Sequence, residues 1–310
     1  MNENTFVLKG KNDVEIFVRK WLPEKEEIKG VLQISHGMAE HSNRYREFGE
    51  YMTSKGYVVY ANDHRGHGQT AKTVEKVGFF GPKDGWKLVV DDVQRLAEKI
   101  KEEYPELPHF LFGHSMGSFV ARVLITDKSE LFNGAIISGT NGKSGFIVSS
   151  GIFLAKMQGL LKGKTKSSQL LTDMSFKGYN DPFKPIKTPY DWLSRDYDRN
   201  KDYCDDPFCG TVMSNRFFVD MLSMIGFANN KSNMNKISKD LPILLFSGAM
   251  DPVGNFGKEV EQVYNIFKNL GVKDINLKLY EGGRHEMLNE TNRQEVYEDV
   301  FNWLEEKRNS

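Results

Sequence analysis

The chain has 310 residues, of which 39% are hydrophobic, 12% aromatic and 27% charged. This composition is typical of a globular protein and excludes collagen-like, coiled-coil and wholly disordered chains. Because 42 Lys and Arg residues balance 42 Asp and Glu residues, no overall charge favours binding to nucleic acid. The length suits one large α/β domain with an insertion, and two smaller domains are the alternative.

Short β-rich runs alternate with longer segments along most of the chain. The first two runs flank a turn at 10–13 and predict a hairpin. The later runs are separated by segments with helical periodicity, which is typical of parallel strands with crossover helices. The predicted strands are 6–8, 14–18, 31–34, 57–60, 110–112, 135–137, 243–246 and 275–280, and the predicted helices are 44–55, 86–104, 115–126, 256–269 and 291–307.

A long insertion interrupts this alternation. From residue 143 to residue 236 the strand signals fade, and Met, aromatic and basic residues become frequent. The segment contains six of the twelve methionines, and it has 14 Lys and Arg residues against 9 Asp residues. The sequence therefore predicts a cap at 143–236, inserted into a core made of 1–142 and 237–310.

The sequence gives no sign of export or of a membrane span. The first residues lack the basic and apolar regions of a secretory signal. The longest mostly apolar stretch, 146–155, is shorter than the ~20 residues that a spanning helix needs. Cys204 and Cys209 lack the second Cys or His pair of a zinc site. These features predict a cytoplasmic protein with reduced thiols.

A candidate nucleophile lies between a predicted strand and a predicted helix. Residues 113–117 read Gly-His-Ser-Met-Gly, which matches the G-x-S-x-G pattern. In such a turn the serine adopts a strained conformation that exposes its hydroxyl, and the flanking glycines leave room for it. Ser115 is therefore the predicted nucleophile.

A serine hydroxyl needs a general base, and that base needs an orienting acid. Asp251 follows the predicted strand 243–246, and His285 follows the strand 275–280. In parallel sheets, sites form at this carboxyl edge of the strands. Asp251 before a proline could instead initiate a turn. The order Ser115, Asp251, His285 nevertheless predicts a catalytic triad.

Acyl transfer also needs hydrogen-bond donors for an oxyanion. One donor is usually the backbone N–H after the nucleophile, which here belongs to Met116. The second usually comes from a loop after an earlier strand. The segment 36–38 follows the strand 31–34, so Met38 N–H is the predicted second donor.

These motifs together resemble the monoacylglycerol lipase and lysophospholipase branch of the α/β hydrolases, which is serine aminopeptidase S33-like. The resemblance covers nearly the whole chain and rests on segments 36–45 (HGMAEHSNRY), 63–68 (DHRGHG), 113–117 (GHSMG), 193–196 (LSRD), 203–207 (YCDDP) and 251–254 (DPVG). It implies an α/β-hydrolase fold with a mostly parallel eight-stranded sheet, a cap over the serine and no cofactor. It also implies hydrolysis of esters with a single acyl chain.

Three further residues fall where this family lines the polar, alcohol-side part of its pocket. They are Arg44, His114 and Tyr203, and the resemblance implies that they contact the substrate.

Two histidine groupings invite a metal interpretation, namely His36 with His41, and the segment 63–67. Neither has the spacing that places ligands on one helical face, so we predict no metal there. Asp63 and Arg65 are predicted to stabilise a turn that supports the oxyanion loop.

The apolar segment 146–161 offers a hypothesis about the substrate. Its flexible methionine and its aromatic residues suit chains of varied shape. We predict an acyl-binding tunnel whose outer lip contacts an anionic membrane or micelle surface through Lys162, Lys164 and Lys166. The alternative is that the segment is only the core of the cap.

Other functions fit parts of the same pattern. A general or feruloyl-type carboxylesterase or a peptidase could use the same scaffold. Haloalkane dehalogenase chemistry is disfavoured, because an Asp would be expected at Ser115. Outside enzymes, the fold could be a ligand-binding scaffold with a vestigial triad.

Overall fold

A mixed sheet of eight strands forms the centre of the molecule. This computed structural model describes residues 1–24, 27–142 and 145–308. The strands are β1 (Asn2–Lys9), β2 (Glu15–Leu22), β3 (Gly30–Ser35), β4 (Tyr57–Asn62), β5 (His109–His114), β6 (Gly134–Ser138), β7 (Ile243–Gly248) and β8 (Ile275–Tyr280). They lie in the order β1-β2-β4-β3-β5-β6-β7-β8. All eight predicted strands are confirmed.

The first two strands form the predicted hairpin, and β2 pairs antiparallel with β4. All other neighbouring strands are parallel. Every residue of β3, β4, β5, β6 and β7 is buried. Helices cover both faces of these strands, which explains why they read as continuous apolar runs.

The described residues form eleven α-helices. They are α1 (Arg46–Ser54), α2 (Gly68–Ala71), α3 (Gly85–Glu103), α4 (Met116–Lys128), α5 (Phe146–Lys162), α6 (Gln169–Phe176), α7 (Tyr197–Asp205), α8 (Asn215–Ala228), α9 (Lys231–Met234), α10 (Lys258–Asn269) and α11 (Arg293–Lys307). The five predicted core helices are confirmed. The first begins later than predicted, because Ser42–Tyr45 form a 3₁₀ turn.

Two hydrophobic cores lie on opposite faces of the sheet. Helices α1 and α11 pack on one face through residues such as Phe48 and Trp303. Helices α3, α4 and α10 pack on the other face through residues such as Val89, Phe119 and Phe267. This three-layer arrangement holds the carboxyl ends of the parallel strands at one edge.

Helices α5 to α9 lie between β6 and β7, where the sequence predicts the cap. Helix α8 packs against α5 and also against α4 of the core. Its residues Phe217 and Met224 are fully buried in the same cluster as the core helices. The predicted first residue of the cap, Lys143, lies outside the described residues, so the boundaries stay a prediction. Among the described helices, none has the length and apolar character needed to cross a membrane.

Candidate active site

The candidate nucleophile occupies a strained turn between β5 and α4. Ser115 has φ 52° and ψ −118°, a left-handed conformation that is costly for a residue with a side chain. Its N–H donates a hydrogen bond to Ser138 O at 2.9 Å, which holds the turn against β6. The predicted strand-turn-helix setting of Ser115 is therefore present.

Two glycines allow β5, β3 and α4 to approach closely. A Cβ at Gly113 would lie 2.4 Å from Gly117 O, and a Cβ at Gly117 would lie 1.9 Å from Ser35 O. Neither distance is possible for real atoms, so both positions require glycine for steric reasons. The packing of α4 on β3 sets the position of Ser115.

The predicted acid and base lie next to each other beyond β7 and β8. His285 Nδ1 is 3.0 Å from Asp251 Oδ2, and Asp251 is fully buried. Asp251 also accepts hydrogen bonds from Ser247 Oγ and Val253 N, both at 2.8 Å. Three donors and complete burial therefore fix the carboxylate in place.

The charges of this pair shift both pKa values. Burial by itself raises the pKa of Asp251, but the His285 charge and the hydrogen bonds bring it below its ordinary value. Burial by itself lowers the pKa of His285, but the Asp251 carboxylate raises it above its ordinary value. The geometry therefore stabilises an imidazolium at His285.

The His285 ring packs against two other rings, with centroids 4.8 Å from His114 and 5.2 Å from Trp192. Because Nδ1 bonds to Asp251, Nε2 remains for the nucleophile. Within the described residues, the Ser115 hydroxyl makes no direct hydrogen bond to His285. In free enzymes such contacts often tighten only when substrate binds.

The loop after β3 places the second predicted oxyanion donor. Gly37 N donates to Glu40 Oε1 at 2.5 Å, which folds the loop back on itself. In the part of the chain that the structure describes, neither Met38 N–H nor Met116 N–H donates a hydrogen bond to another protein group. Two free donors at this edge are what an oxyanion requires.

His36 fixes the orientation of the Met38 N–H. His64 N donates to His36 Nε2 at 2.9 Å, so Nδ1 carries the proton and donates to Gly37 O at 2.7 Å. Burial, above all, lowers the pKa of His36 to about 4 and keeps the ring neutral. In a trans peptide the carbonyl and the next N–H point in opposite directions. By binding Gly37 O, His36 therefore directs the Met38 N–H away from itself.

The turn after β4 also supports this loop. Asp63 Oδ1 accepts from Ser42 N at 2.8 Å and from its hydroxyl at 2.5 Å. Arg65 instead pairs with Asp92 of α3. Asp63 therefore supports the oxyanion loop directly, as predicted, whereas Arg65 anchors the turn to α3.

One of the residues predicted on the alcohol side, Arg44, belongs to a buried charge cluster. Arg44 donates to Glu40 at 2.8 Å and makes a bidentate pair with Glu286 at 2.5 and 2.6 Å. Its guanidinium lies 4.7 Å from the Tyr203 ring centroid. Burial opposes ionisation of Glu286, but Arg44 lowers the pKa of this carboxyl to about 2. His114 Nδ1 lies 3.2 Å from Ser138 Oγ.

Sequence reasoning missed the two carboxylates of this cluster. Glu40 lies within the HGMAEHSNRY segment, and Glu286 directly follows His285. Their closeness in sequence to predicted site residues could have identified them as candidates. The pairing of Glu286 with Arg44 was not visible, because these residues are 242 positions apart, whereas Glu40 and Arg44 are only four positions apart.

A large apolar cavity opens beside Ser115. Its volume is about 560 Å³. Ile147 and Met174 line it and are 66% and 54% exposed, so they mark its opening. The walls come from the loops after β3 and β5 and from cap helices α5, α6 and α8, and they include Met38, Ser115, Phe119, Asn141, Ile147, Ser150, Leu154, Leu171, Met174, Phe176, Tyr179, Trp192, Phe218, Met221, Leu222, Ile225 and Val253.

The cavity matches the predicted tunnel only in part. From the segment 146–161, Ile147 and Leu154 reach the cavity, whereas Phe153 and Leu161 face solvent. Half of the apolar lining residues belong to α6 and α8, which lie outside the segment 146–161 of the predicted tunnel. The predicted contacts Arg44, His114 and Tyr203 are not among the residues that line it.

The eight-stranded, mostly parallel sheet with flanking helices, the elbow at Ser115 and the His–Asp pair at the same sheet edge are typical of an α/β hydrolase. Comparison with known proteins agrees with this class. The family model described as serine aminopeptidase, S33, matches residues 26–292. The chain therefore belongs to this family.

Relatives confirm the predicted resemblance to the monoacylglycerol lipase branch. The chain is 27% identical to a monoglyceride lipase of Mus musculus over 93% of this chain and 86% of that protein. It is 26% identical to a monoacylglycerol lipase of Mycolicibacterium smegmatis over 98% and 96% of the two chains. A solved carboxyl esterase of Bacillus coagulans superposes with a TM-score of 0.89 at 29% identity, over 98% of both chains.

Proposed function

We propose that this protein is a hydrolase that cleaves carboxylic esters of single-chain lipids through an acyl-enzyme on Ser115. The observation that carries the proposal is that Ser115 lines an apolar cavity of about 560 Å³. This volume lies within the range of about 300–1,000 Å³ that is typical of ligand sites. Apolar walls favour burial of a hydrocarbon chain, and relatives named as monoglyceride lipases support the same substrate class.

In the proposed mechanism, Ser115 Oγ attacks the ester carbonyl carbon while His285 Nε2 accepts the hydroxyl proton. The oxyanion accepts hydrogen bonds from Met38 N–H and Met116 N–H. The His285 imidazolium, stabilised by Asp251, donates its proton to the leaving alcohol as the ester C–O bond breaks. A water molecule, deprotonated by the same imidazole, then attacks the acyl-enzyme and releases the fatty acid.

The cavity wall favours an uncharged alcohol group. No Lys, Arg, Asp or Glu is among the described residues that line it. A phosphate headgroup or a peptide amino terminus would therefore lie there without an opposite charge, which is costly in an apolar site. Arg44 offers no free charge, because it already binds two carboxylates. These features support a monoacylglycerol over a lysophospholipid or a peptide.

The first experiment compares fatty-acid release from monooleoylglycerol and from lysophosphatidylcholine, with Ser115→Ala as the blank. We expect release from the glyceride to dominate and Ser115→Ala to lose at least ~10³-fold in kcat. Preference for the lysolipid would contradict the uncharged alcohol group. Preference for short or aromatic acyl groups would instead identify a general or feruloyl-type carboxylesterase.

Labelling of Ser115 by a fluorophosphonate separates the enzyme from a ligand-binding scaffold. The reagent reacts only with an activated serine, so a vestigial triad would not label. We expect wild-type protein to label and both Ser115→Ala and His285→Ala to remain unlabelled. Labelling of Ser115→Ala would place the nucleophile elsewhere.

The cap also carries an exposed apolar stripe beside the cavity opening. On α5, apolar residues at spacings of three, four and seven positions share one helical face. They include Phe146, Phe153 and Leu160, which are exposed. The exposed lysines 162, 164 and 166 follow at the end of the helix. Such a surface fits peripheral contact with an anionic membrane or micelle that delivers the substrate.

Vesicle binding tests this contact. The triple change of Lys162, Lys164 and Lys166 to Glu should weaken binding to anionic vesicles, while hydrolysis of a soluble ester stays unchanged. The matched control changes Lys83, Lys101 and Lys268, three exposed lysines of the core, to Glu and should bind as wild type. Unaltered binding of the triple variant would refute the contact.

A further inference from the structure

A second group of chemically reactive side chains lies outside the apolar cavity. His41 ends the oxyanion loop, and Asp206 and Cys209 follow α7 in the cap. Their potential ligand atoms all lie within 4.8 Å of one another. Among the described residues this is the group of three or more that could hold a metal ion. The proposed hydrolytic mechanism uses none of the three.

His41 and Asp206 are hydrogen-bonded to each other, whereas the Cys209 thiol has no hydrogen-bond partner among the described residues. His41 Nε2 lies 2.9 Å from Asp206 Oδ2, while Asp206 Oδ1 accepts from Phe208 N at 2.9 Å. Cys209 is only 8% exposed, and no described residue makes a hydrogen bond with its thiol. A buried thiol without a hydrogen-bond partner, within 4.8 Å of an imidazole nitrogen and a carboxylate oxygen, is a second sign of a ligand site.

We propose that His41, Asp206 and Cys209 bind a thiophilic divalent cation, and that Zn²⁺ is the metal that fits them best. A thiolate, an imidazole and a carboxylate are the three ligand types that zinc accepts together. Calcium and magnesium prefer oxygen ligands alone, so the thiol disfavours them. The cation would replace the proton that now joins Nε2 and Oδ2.

The distances suit this metal after a small adjustment. With Zn–N and Zn–S bonds of about 2.0–2.3 Å, ligand atoms in a tetrahedral site lie about 3.3–3.8 Å apart. The His41–Asp206 pair is slightly closer than this, and the widest separation is about 1 Å longer. Three protein ligands leave a fourth position for water. Water can reach that position, because all three residues line an open cleft of about 540 Å³.

The surrounding charges accept a cation. Three arginines line this cleft, and each is paired with carboxylates. Arg44 binds Glu40 and Glu286, Arg46 binds Glu3 and Glu50, and Arg199 binds Glu47. When the ion binds, the Cys209 thiol releases its proton to water, and a divalent ion held by one thiolate and one carboxylate forms a site with no net charge. The desolvation cost of a buried unpaired charge is thereby avoided.

A metal at this point would join the cap to the oxyanion loop. Gly210 N already donates to Ala39 O at 3.0 Å, so the two segments are in contact beside the three ligands. The site is distinct from the C-x4-C pattern in the sequence, because Cys204 is exposed and not part of the group. Only tertiary contact brings Cys209 to a histidine 168 positions away.

Spectroscopy with Co²⁺ and competition with Zn²⁺ test the proposal on the full chain. Co²⁺ bound to a thiolate gives a charge-transfer band in the near ultraviolet, and Zn²⁺ removes it by displacement. We expect wild-type protein, reduced with a phosphine, to show this band with one equivalent of metal. Cys204→Ser is the matched control and should behave as wild type.

Cys209→Ser should lose the thiolate band and bind Zn²⁺ at least about 100-fold more weakly, since a direct ligand contributes at least as much as an outer-shell partner. Asp206→Asn should also bind Zn²⁺ more weakly but keep a thiolate band at high Co²⁺. Fluorophosphonate labelling of Ser115 without metal verifies that each variant is folded. Equal Zn²⁺ affinity of wild type and Cys209→Ser, or a band lost only in Cys204→Ser, would overturn the proposal.

Discussion

The hydrogen bond from His36 to Gly37 O leads to a prediction that separates catalysis from stability. His36 uses Nε2 to accept from His64 N and Nδ1 to donate to Gly37 O. In His36→Asn the side-chain amide nitrogen takes the place of Nδ1 and keeps the bond to Gly37 O. In His36→Gln the longer side chain takes the place of Nε2, keeps the bond to His64 N and loses the bond to Gly37 O.

The expected effect on rate follows from what the bond does. A buried neutral hydrogen bond contributes about 0.5–1.5 kcal/mol net, and about 1.4 kcal/mol corresponds to tenfold in rate. Without that bond the Gly37–Met38 peptide can rotate away from the oxyanion. We therefore expect kcat of His36→Gln to fall about tenfold. Complete loss of the Met38 N–H as an oxyanion donor would lower kcat by at most about 10³-fold. His36→Asn should stay within about threefold of wild type.

The two variants are matched in stability. Each leaves one buried backbone group without a partner, at a cost of about 1–3 kcal/mol, so both should melt several degrees lower. Steady-state hydrolysis of a p-nitrophenyl ester gives kcat, and calorimetry gives Tm. His109, buried near the opposite end of β5 against Phe132, supplies the control variant His109→Gln, whose kcat should not change. The reasoning is refuted if His36→Asn loses as much kcat as His36→Gln.

Three further predictions concern the charge cluster, the triad and the elbow. Arg44→Met leaves two buried carboxylates unpaired and should lower the free energy of unfolding by about 3–5 kcal/mol in urea titrations. In wild type, the Arg44–Glu286 pair contributes its full stabilisation above pH 4.5, the ordinary pKa of a Glu carboxyl. This stabilisation is lost as the pH falls towards about 2, the pKa of Glu286 in the folded protein. If the free energy of unfolding of Arg44→Met depended on acidic pH as in wild type, this prediction would be contradicted. Asp251→Asn should reduce kcat/KM by about 10³–10⁴-fold. The acid limb of its pH profile should move to lower pH, because the carboxylate no longer raises the pKa of His285. An acid limb at the wild-type pH would show that Asp251 does not raise this pKa. Gly117→Ala puts a Cβ 1.9 Å from a backbone oxygen of β3 and should greatly reduce Tm and soluble yield, so wild-type melting would contradict the packing described.

Much of the fold was predictable because its signals are local. Buried parallel strands are short apolar runs, and amphipathic helices repeat their apolar residues every three or four positions. Helix α3 ends at Glu103, shortly before Pro105, as the lack of a proline N–H requires. The start of α1 was predicted too early, because the Ser42–Tyr45 turn is 3₁₀ rather than α-helical, a difference that side-chain periodicity does not encode.

The site was partly predictable for the same reason. Ser115 lies in a turn whose glycines are dictated by sterics within five residues. Asp251 and His285 were found from their positions after strands. The hydrogen bonds that complete the site, such as His36 to Gly37 and Arg44 to Glu286, depend on side-chain directions and long-range contacts that no local pattern contains.

By itself, the sequence determined the succession of strands and helices along the chain, the elbow at Ser115 and the candidate partners Asp251 and His285. These features were predictable because hydrophobic periodicity and steric contacts in turns involve residues close together in the chain. Only the tertiary structure decided that α6 and α8 supply half of the apolar residues of the cavity wall, that Arg44 is bound by two carboxylates, and that Cys209 lies beside His41. The cavity wall and the Cys209–His41 contact depend on how the cap packs on the core, whereas the Arg44 pairs form within the core. Such packing is the sum of many weak contacts between residues far apart in the chain.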